Sequence, residues 1–280
     1  MMKKILYFDC SSGISGDMTL GALLHLGADI ERLRAELGKL EVTGYSLVAR
    51  KRQKNGVTGV DLDVVIGDGI REEKRAKNRE DVHGETGHDH GSYSSIRAMI
   101  ESSGLSDKVK RMASAIFAVI AEAEAAVHDL PPEQVIFHEV GAVDSIVDIV
   151  GTAICVDMLG VDEIHCSPVH DGSGFIGCRH GLIPVPAPAV IEMLKGSGIR
   201  IITEDVDTEM VTPTGIGILK GLRAKCGRMP EISVLGAGYG FGKRDTGRFN
   251  AVRIVMGRIE ESGGSRAKPE PRRAGGDTEA

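Results

Sequence analysis

A buried strand that leads directly into a glycine-rich turn and an apolar helix begins this chain. Residues 3–9, KKILYFD, have the apolar content of a buried strand, and the stretch SSGISGDM follows over residues 11–18. The apolar run over residues 17–26 then predicts a helix. Strands that alternate with helices in this way build a sheet covered by helices. The opening of the sequence therefore favours an α/β protein.

The rest of the chain continues this alternation. Apolar residues at helical spacing predict further helices over residues 29–40, 106–128, 144–159, 187–195 and 213–226. A β-hairpin is predicted around Asn55-Gly56, where alternating sequences flank the turn. Other strands are expected at residues 163–167, 173–178, 231–237 and 250–256. We expect an α/β fold with one mixed sheet and flanking helices.

Two segments carry too few large apolar residues to join a core. Residues 68–92 predict a mobile linker or long polar loop, and residues 259–280 predict a disordered tail. The ordered domain is therefore expected to span residues 1–258. The linker contains three histidines: His83, His88 and His90. Spaced imidazoles on a flexible chain bind Ni²⁺ weakly, so His88 and His90 are candidate ligands, although a polar linker also contains histidines by chance.

Charge, hydropathy and cysteine content exclude several classes of protein. The chain has 34 basic and 40 acidic residues, a net charge of −6, so no general attraction to nucleic acid or to an anionic membrane is expected. No apolar run approaches the roughly 20 residues of a membrane span, and the first apolar run reads as a strand and not as a signal peptide. The five cysteines form no close pair, which argues against a disulfide framework and fits a reducing cytoplasm.

The turn after the first strand has two chemical interpretations. Backbone N–H groups at the start of a helix would bind a phosphate, and Asp9 and Asp17 would hold a divalent ion beside it. The cofactor-binding candidates in the turn are Ser12, Gly13, Ser15 and Gly16. The alternative is an ordinary strand-to-helix turn with Asp17 as the helix cap. The stretch lacks the Gly-Lys-Ser/Thr ending of a Walker A loop.

A denser group of potential metal ligands lies in the stretch FHEVGAVDSIVD. It contains His138, Glu139, Asp144 and Asp148. If a helix starts at Asp144, then Asp144 and Asp148 lie one turn apart on the same face. A carboxylate among the apolar neighbours of Asp148 needs a partner, and an imidazole with carboxylates suits nickel, manganese or magnesium. The alternative is a helix cap followed by a solvated helix face.

The stretch GFIGCRHG carries a second pair of potential metal ligands. Cys178 and His180 alternate on a predicted strand, so their side chains point to the same side. Such a pair can bind a soft or borderline metal. An exposed strand edge with an incidental cysteine and histidine is the alternative.

A capped helix start and a glycine-rich stretch complete the candidates. In VTPTG, Thr212 predicts an N-cap, and Thr212, Thr214 and Gly215 would receive a phosphate there or simply begin an ordinary helix. The stretch GAGYGFGKRD follows a strand but precedes another strand, which excludes a dinucleotide-binding turn. We expect a glycine-rich hairpin there, with Lys243 and Arg244 near a phosphate.

Four stretches, taken together and in this order, resemble one family. DCSSGISGDM, FHEVGAVDSIVDIVG, GSGFIGCRHGLIPVPAPA and EMVTPTG are similar to the motifs of LarC, the family of nickel-insertion proteins of nickel-pincer cofactor biosynthesis. The resemblance extends over about residues 3–257. The His-containing segment after the hairpin is also similar to an insert of the family, which is often richer in histidine.

The resemblance implies a nickel chelatase or cyclometallase of the lyase class. It implies nickel, CTP and Mg²⁺ or Mn²⁺ as cofactors, and a pyridinium mononucleotide with two thiocarboxylates as the substrate. The client would be a nickel-pincer enzyme such as a lactate racemase-like protein. The reaction needs a base for the ring proton, and we assign His138, Glu139 and Asp144 as the catalytic candidates.

The resemblance also implies that a further component is needed. Full-length members of the family continue with a C-terminal region that binds the nucleotide, whereas this sequence becomes polar after residue 257. We therefore expect a C-terminal LarC-like component to complete the activity. Two other hypotheses stay open: a non-catalytic nickel-delivery protein, and a Mg²⁺-dependent phosphate-ester hydrolase built on Asp9, Asp17 and the glycine turn.

Overall fold

The computed structural model of the protein describes residues 2–67, 91–137, 140, 142–178 and 181–260. In this part the chain forms seven α-helices, one seven-stranded sheet and two small two-stranded sheets. The main sheet contains parallel and antiparallel pairs, so the predicted α/β class with a mixed sheet is confirmed. None of the helices in these ranges is long and apolar enough to cross a membrane. The predicted linker and tail lie outside the described residues, apart from residues 91–92 and 259–260.

The elements are numbered in chain order. The strands are β1 Met2–Asp9, β2 Tyr45–Lys54, β3 Val57–Ile66, β4 Glu163–Cys166, β5 Val169–Asp171, β6 Phe175–Cys178, β7 Gly181–Pro184, β8 Ile201–Thr203, β9 Lys225–Cys226, β10 Ser233–Phe241 and β11 Ala251–Glu260. The helices are α1 Gly16–His25, α2 Ile30–Leu37, α3 Tyr93–Ser102, α4 Asp107–His128, α5 Val143–Met158, α6 Pro188–Leu194 and α7 Pro213–Gly221.

The main sheet has the strand order β2-β3-β10-β11-β1-β4-β9. Strand β1 lies between β4, which runs parallel to it, and β11, which runs antiparallel. Strand β9 extends the parallel part beside β4. The carboxyl ends of β1, β4 and β9 therefore meet at one edge of the sheet. The turn at residues 11–15 leaves from that edge and leads into α1.

Helix α1 packs between the sheet and helix α5. It contacts β3, β10 and α5. Leu20 and Leu23 of α1 are fully buried in this layer, as are Ile146 and Ile149 of α5. Because α1 is enclosed in this way, the turn before it has a fixed position relative to α5 and the sheet.

Most of the glycine-rich stretch GAGYGFG lies in strand β10, which pairs antiparallel with β11, so the predicted glycine-rich hairpin is confirmed, with a longer first strand than predicted. The strand continues to Phe241. A Cβ added at Gly240 would overlap the carbonyl oxygen of Met18. One added at Gly238 would overlap the carbonyl oxygen of Ala22. The glycines let the backbone of α1 lie directly on the strand, a contact between distant segments that a local pattern does not reveal.

The predicted cap of α7 is confirmed, whereas the predicted cap of α1 is wrong. Asp29 caps α2 and Thr212 caps α7, each by accepting a hydrogen bond from a backbone N–H of the first turn. Asp17 is not the cap of α1, because Ser15 occupies that position and Asp17 lies in the first turn. Helix α7 ends at Gly221, earlier than predicted, because the chain then turns to pair β9 with β4.

The carboxylate of Asp171, at the end of β5, holds the segment before α7. The side chain is fully buried. Its Oδ1 atom accepts hydrogen bonds from Gly172 N at 2.8 Å, from Met210 N at 2.8 Å and from Val211 N at 3.0 Å. The carbonyl oxygen of Met210 in turn accepts a hydrogen bond from Ile14 N at 2.9 Å. The turn before α1 and the segment before α7 are thereby joined.

We expect Gly240→Ala to lower the free energy of unfolding by about 2–4 kcal/mol, because the added methyl group forces α1 away from β10. Gly177→Ala is the matched control, since a Cβ at that strand position meets no atom within 4 Å. Urea unfolding followed by circular dichroism measures both variants. Equal stability of the two would contradict the direct contact of helix and strand.

Asp171→Ala should lower the free energy of unfolding by about 3 kcal/mol, because it leaves buried N–H groups without an acceptor. Asp171→Asn keeps one acceptor oxygen, so its free energy of unfolding should fall by less. Hydrogen exchange should accelerate at Met210 and Val211 in the alanine variant. The exposed Asp205, in the same loop, provides the control as Asp205→Ala. Unchanged exchange at the two amides would show that Asp171 does not hold this segment.

Candidate functional site

A polar cleft opens where the first turns of α1, α5 and α7 come together beside the loop at residues 242–250. It encloses about 400 Å³ and adjoins a recess of about 200 Å³. Both cavities share Ser15, Asp17, Glu209, Thr212, Lys243 and Arg244. The larger cavity is also lined by Asp63, Val140, Asp144, Asp148 and Thr214. Its volume is within the range of small-molecule sites, roughly 300–1,000 Å³.

Two aspartates, which we call the acid pair, lie close together in the cleft: Asp17 and Asp148. Asp148 projects from α5 against Gly16, where an added Cβ would lie 2.6 Å from Asp148 Oδ2. The Oδ1 atom of Asp148 is buried and has no hydrogen-bond partner among the described residues. Burial and the negative charges of Asp17 and Asp144 raise the pKa of Asp148 well above its ordinary value, and Lys243 opposes this rise.

Asp17 has one oxygen engaged by its own turn. Its Oδ1 atom accepts hydrogen bonds from the Ser15 hydroxyl and from Met18 N, the latter at 2.9 Å. Burial raises the pKa of Asp17, whereas these two hydrogen bonds and the charge of Lys243 lower it. Two desolvated carboxyl groups at short range cost free energy unless they are protonated or neutralised by a cation. The acid pair is therefore suited to a divalent cation.

Two basic residues of the loop at residues 242–250, Lys243 and Arg244, line the cleft. Lys243 forms ion pairs with Asp61 and with Asp63, the latter at 2.8 Å. Burial lowers the pKa of Lys243, but the two carboxylates outweigh this effect and raise it. Arg244 pairs with the buried Glu209 at 2.7 Å. The cleft thus combines the acid pair with a charged amine, an arrangement that suits a phosphate together with a metal ion.

The turn between β1 and α1 uses its backbone groups to join the segment before α7. Gly13 N donates to Cys10 O at 3.1 Å, and Thr212 N donates to Ile14 O at 3.0 Å. Gly13 has a φ of +81°, and a Cβ there would overlap the carbonyl oxygen of Met210. Glycine is therefore required for this close approach. The N–H of Gly13, predicted to bind a phosphate, is instead engaged within the turn.

Helix α7 brings two hydroxyl-bearing residues to the cleft. Thr212 and Thr214 both line it. The Oγ1 atom of Thr212 accepts a hydrogen bond from Gly215 N at 3.2 Å, and a Cβ at Gly215 would overlap the carbonyl oxygen of Ile14. The N–H of Gly215 therefore serves the helix cap, while the two threonines stay candidates for a phosphate.

Asp9 and Ser12 are not among the described residues that line the cleft. Asp9 forms an ion pair with Arg253 of β11 and accepts a hydrogen bond from Ser11 N at 3.3 Å. The metal role predicted for Asp9 and the cofactor role predicted for Ser12 gain no support from this placement. A hydrolase built on Asp9 and Asp17 needs both carboxylates in one site, and only Asp17 lies in the cleft.

Several predicted ligands lie outside the described residues: His83, His88, His90, His138, Glu139 and His180. Cys178 ends β6, in the small sheet with β7. In the described ranges, no group of three or more His, Cys, Asp and Glu side chains is arranged to hold a metal ion. A cation at the acid pair would therefore complete its coordination with water or ligand oxygens, as Mg²⁺ usually does.

Sequence reasoning missed Asp63 and Glu209 as residues of the cleft. Asp63 alternates with apolar residues in DLDVV, which indicates a strand but not what its polar face meets. Glu209 is the first residue of the motif EMVTPTG, and an acid next to a predicted phosphate site is a usable signal. Lys243 and Arg244, expected near a phosphate, do lie in the cleft.

Known proteins are similar to this chain over most of its length. A family model described as "Nickel insertion protein" matches residues 6–274. The pyridinium-3,5-bisthiocarboxylic acid mononucleotide nickel insertion proteins of Acetivibrio thermocellus and Lactiplantibacillus plantarum are each 50% identical to the chain, of which they cover 92% and 90%. The protein of the same name from Geobacillus kaustophilus is 44% identical and covers 94% of the chain. No solved structure matches the chain.

These matches confirm the resemblance that the four ordered motifs indicate. The chain spans about six tenths of the length of these relatives, 61% for the first two and 62% for the third. The matched range includes the acid pair, both threonines of α7 and Lys243. The chain belongs to the nickel insertion protein family.

Proposed function

We propose that this chain takes part in inserting nickel into pyridinium-3,5-bisthiocarboxylic acid mononucleotide to form the nickel-pincer cofactor. Two relatives that are 50% identical to it carry the name of this activity. The observation that carries the proposal is the acid pair, whose buried Asp148 Oδ1 has no hydrogen-bond partner among the described residues. Such a group lies ready for a cation.

The cleft has the chemistry to receive a mononucleotide. The phosphate would lie between Lys243 and the hydroxyl groups of Thr212 and Thr214, which line the same cavity. Charge-assisted hydrogen bonds from an amine to a phosphate are stronger than those between neutral groups. Lys243 is already held toward the cleft by Asp61 and Asp63, so less side-chain entropy is lost when a phosphate binds.

The acid pair would bind Mg²⁺ or Mn²⁺ next to that phosphate. Hard divalent cations are usually held by one or two carboxylates together with phosphate oxygens and water. Nickel, which is the cargo, also accepts nitrogen and sulfur donors, and the two thiocarboxylates of the substrate supply sulfur. His138 and Glu139 directly precede Val140, which lines the cleft. We retain these two residues and Asp144 as candidates for handling nickel and for removing the ring proton.

The wider reaction system is part of the same proposal. We infer that CTP is consumed, that residues 1–258 form the working domain, and that a C-terminal component completes the activity. The family resemblance supports these points. A client nickel-pincer enzyme, such as a lactate racemase-like protein, would accept the product in the cytoplasm.

We expect Asp148→Asn to abolish stabilisation by a divalent cation without lowering the stability of the metal-free protein, because the change removes a buried, unpartnered charge. Melting temperatures are measured with and without Mn²⁺ and inorganic phosphate. The wild type should gain several degrees when the cation exceeds its dissociation constant by about 100-fold. Asp157→Asn is the control, since Asp157 lies on the same helix and pairs with Lys108 at 3.1 Å.

The pH dependence of the metal-free melts separates a ligand from a structural carboxylate. Because its folded-state pKa is raised, Asp148 destabilises the protein progressively as the pH rises through about 4, where the unfolded carboxyl group ionises but the folded one stays protonated. The stability advantage of Asp148→Asn should therefore grow with pH. A cation-induced gain that persists in Asp148→Asn would contradict the ligand role. A metal-free variant that melts lower than the wild type would show that Asp148 anchors the fold.

Nickel insertion itself is tested with the purified chain, the mononucleotide substrate, Ni²⁺, CTP and Mn²⁺. The C-terminal region of one of the longer relatives is supplied as a separate chain. Mass spectrometry should detect the nickel-loaded mononucleotide. Lys243→Ala should raise the KM for the substrate by about 10- to 100-fold through the loss of a charged hydrogen bond. Lys225→Ala is the control, because Lys225 pairs with Glu163 at 2.6 Å away from the cleft.

The same assay separates the alternatives. Stoichiometric nickel binding without any nickel-loaded product, even with the C-terminal region present, would identify a delivery protein. Sustained hydrolysis of a generic phosphate ester with Mg²⁺ would identify a hydrolase. An unchanged KM in Lys243→Ala would show that the phosphate of the substrate does not bind beside Lys243.

A further inference from the structure

Three of the five cysteines meet at one edge of the main sheet, although they are far apart in the sequence. Cys10 follows β1, Cys166 ends β4 and Cys226 ends β9. These strands are parallel neighbours, so their carboxyl ends lie side by side. Ser167 lies among the three cysteines. Its hydroxyl accepts a hydrogen bond from Cys10 N at 2.9 Å, and its carbonyl oxygen accepts one from Cys226 Sγ at 3.5 Å.

Cys166 and Cys226 are direct partners in the pairing of β4 with β9. Paired residues on neighbouring strands lie about 4.8 Å apart, and disulfides join Cα atoms that are about 4.4–6.8 Å apart. The side chains of directly paired residues project to the same face of the sheet. The two sulfur atoms can therefore be joined without a rearrangement of the strands.

The two thiols differ in their access to solvent. Cys166 is fully buried, whereas Cys226 is partly exposed. Burial, followed by the charge of Cys226 and the hydrogen bond with it, raises the pKa of Cys166 to about 12. A reagent from solution therefore reaches Cys226 first. Cys166 stays protonated and is positioned to react with the product formed at Cys226.

We propose that Cys166 and Cys226 form an oxidation site that closes a reversible disulfide between β4 and β9. Hydrogen peroxide oxidises the Cys226 thiol to a sulfenic acid, and one water leaves. The Cys166 sulfur then attacks the Cys226 sulfur, and the sulfenic hydroxyl departs with the Cys166 proton as a second water. The two thiols lose two electrons and two protons, which reduce one peroxide to two waters. A dithiol reductant reverses the bond by exchange.

This disulfide would secure a weakly held part of the sheet. Strand β9 has only two residues, and it pairs with β4 through both of them. It follows helix α7, whose first turn lines the cleft. Oxidation would therefore fix the far end of the segment that carries Thr212. The inference rests on the strand pairing and on the different exposure of the two thiols, and it does not depend on nickel insertion.

Mass spectrometry of the full folded chain after treatment with hydrogen peroxide tests the proposal. We expect a loss of about 2 Da that dithiothreitol reverses, and peptide mapping should join the Cys166 and Cys226 peptides. Cys226→Ser should show no such loss. Cys178→Ser, which removes the other partly exposed cysteine, should behave like the wild type. The oxidised wild type should melt about 5 °C or more above the reduced protein.

Peptide mapping of the wild type keeps the proposal falsifiable even if a variant fails to fold. Oxygen addition at Cys226 without a link to Cys166 would overturn it. A disulfide that maps to Cys10 would also overturn it, as would a Cys166–Cys226 link that appears only after the protein is unfolded in denaturant.

Discussion

The buried carboxylate of Asp171 connects the two segments that build the cleft. It accepts hydrogen bonds from Met210 N and Val211 N, and the carbonyl oxygen of Met210 accepts a hydrogen bond from Ile14 N. Each buried N–H needs an acceptor, and a carboxylate oxygen at the end of a short strand serves several at once. The start of α1 and the start of α7 therefore depend on one side chain. Asp171 is not among the described residues that line the cleft, yet the positions of Asp17 and Thr212 follow from it.

Close packing then places two half-buried carboxyl groups together in the cleft. Gly16 has no side chain, so Asp148 of α5 lies against the first residue of α1. On the other side of α1, the glycines of β10 let the helix backbone rest on the sheet. Burying like charges together lowers the stability of the metal-free protein. Natural proteins usually retain such costs at sites of function.

The sequence predicted the local features and the motif residues, because caps and apolar periodicity act over a few positions. It placed Asp17 and Asp148 in separate motifs, and the structure brings the two together. It did not predict the partners of Lys243, or that Asp9 would pair with Arg253, since strand pairing between distant segments decides both. The sequence predicted a hairpin at GAGYGFG, but it did not show that the glycines of its first strand lie against the backbone of α1. The meeting of three cysteines likewise depends on strand order.

Ion pairs tie the loop at residues 242–250 to two separate parts of the protein: strand β3 and the loop between β8 and α7. Lys243 pairs with Asp63 at 2.8 Å, while Arg244 and Arg248 each reach a glutamate at 2.7 Å. At an ionic strength of about 0.15 M, charges in solvent are screened beyond about 8 Å, and added salt weakens exposed pairs further. Dissolved anions and an anionic ligand thus compete for the same cations. The salt concentration of the solution therefore affects how firmly this loop is held beside the cleft, in addition to the ion pairs themselves.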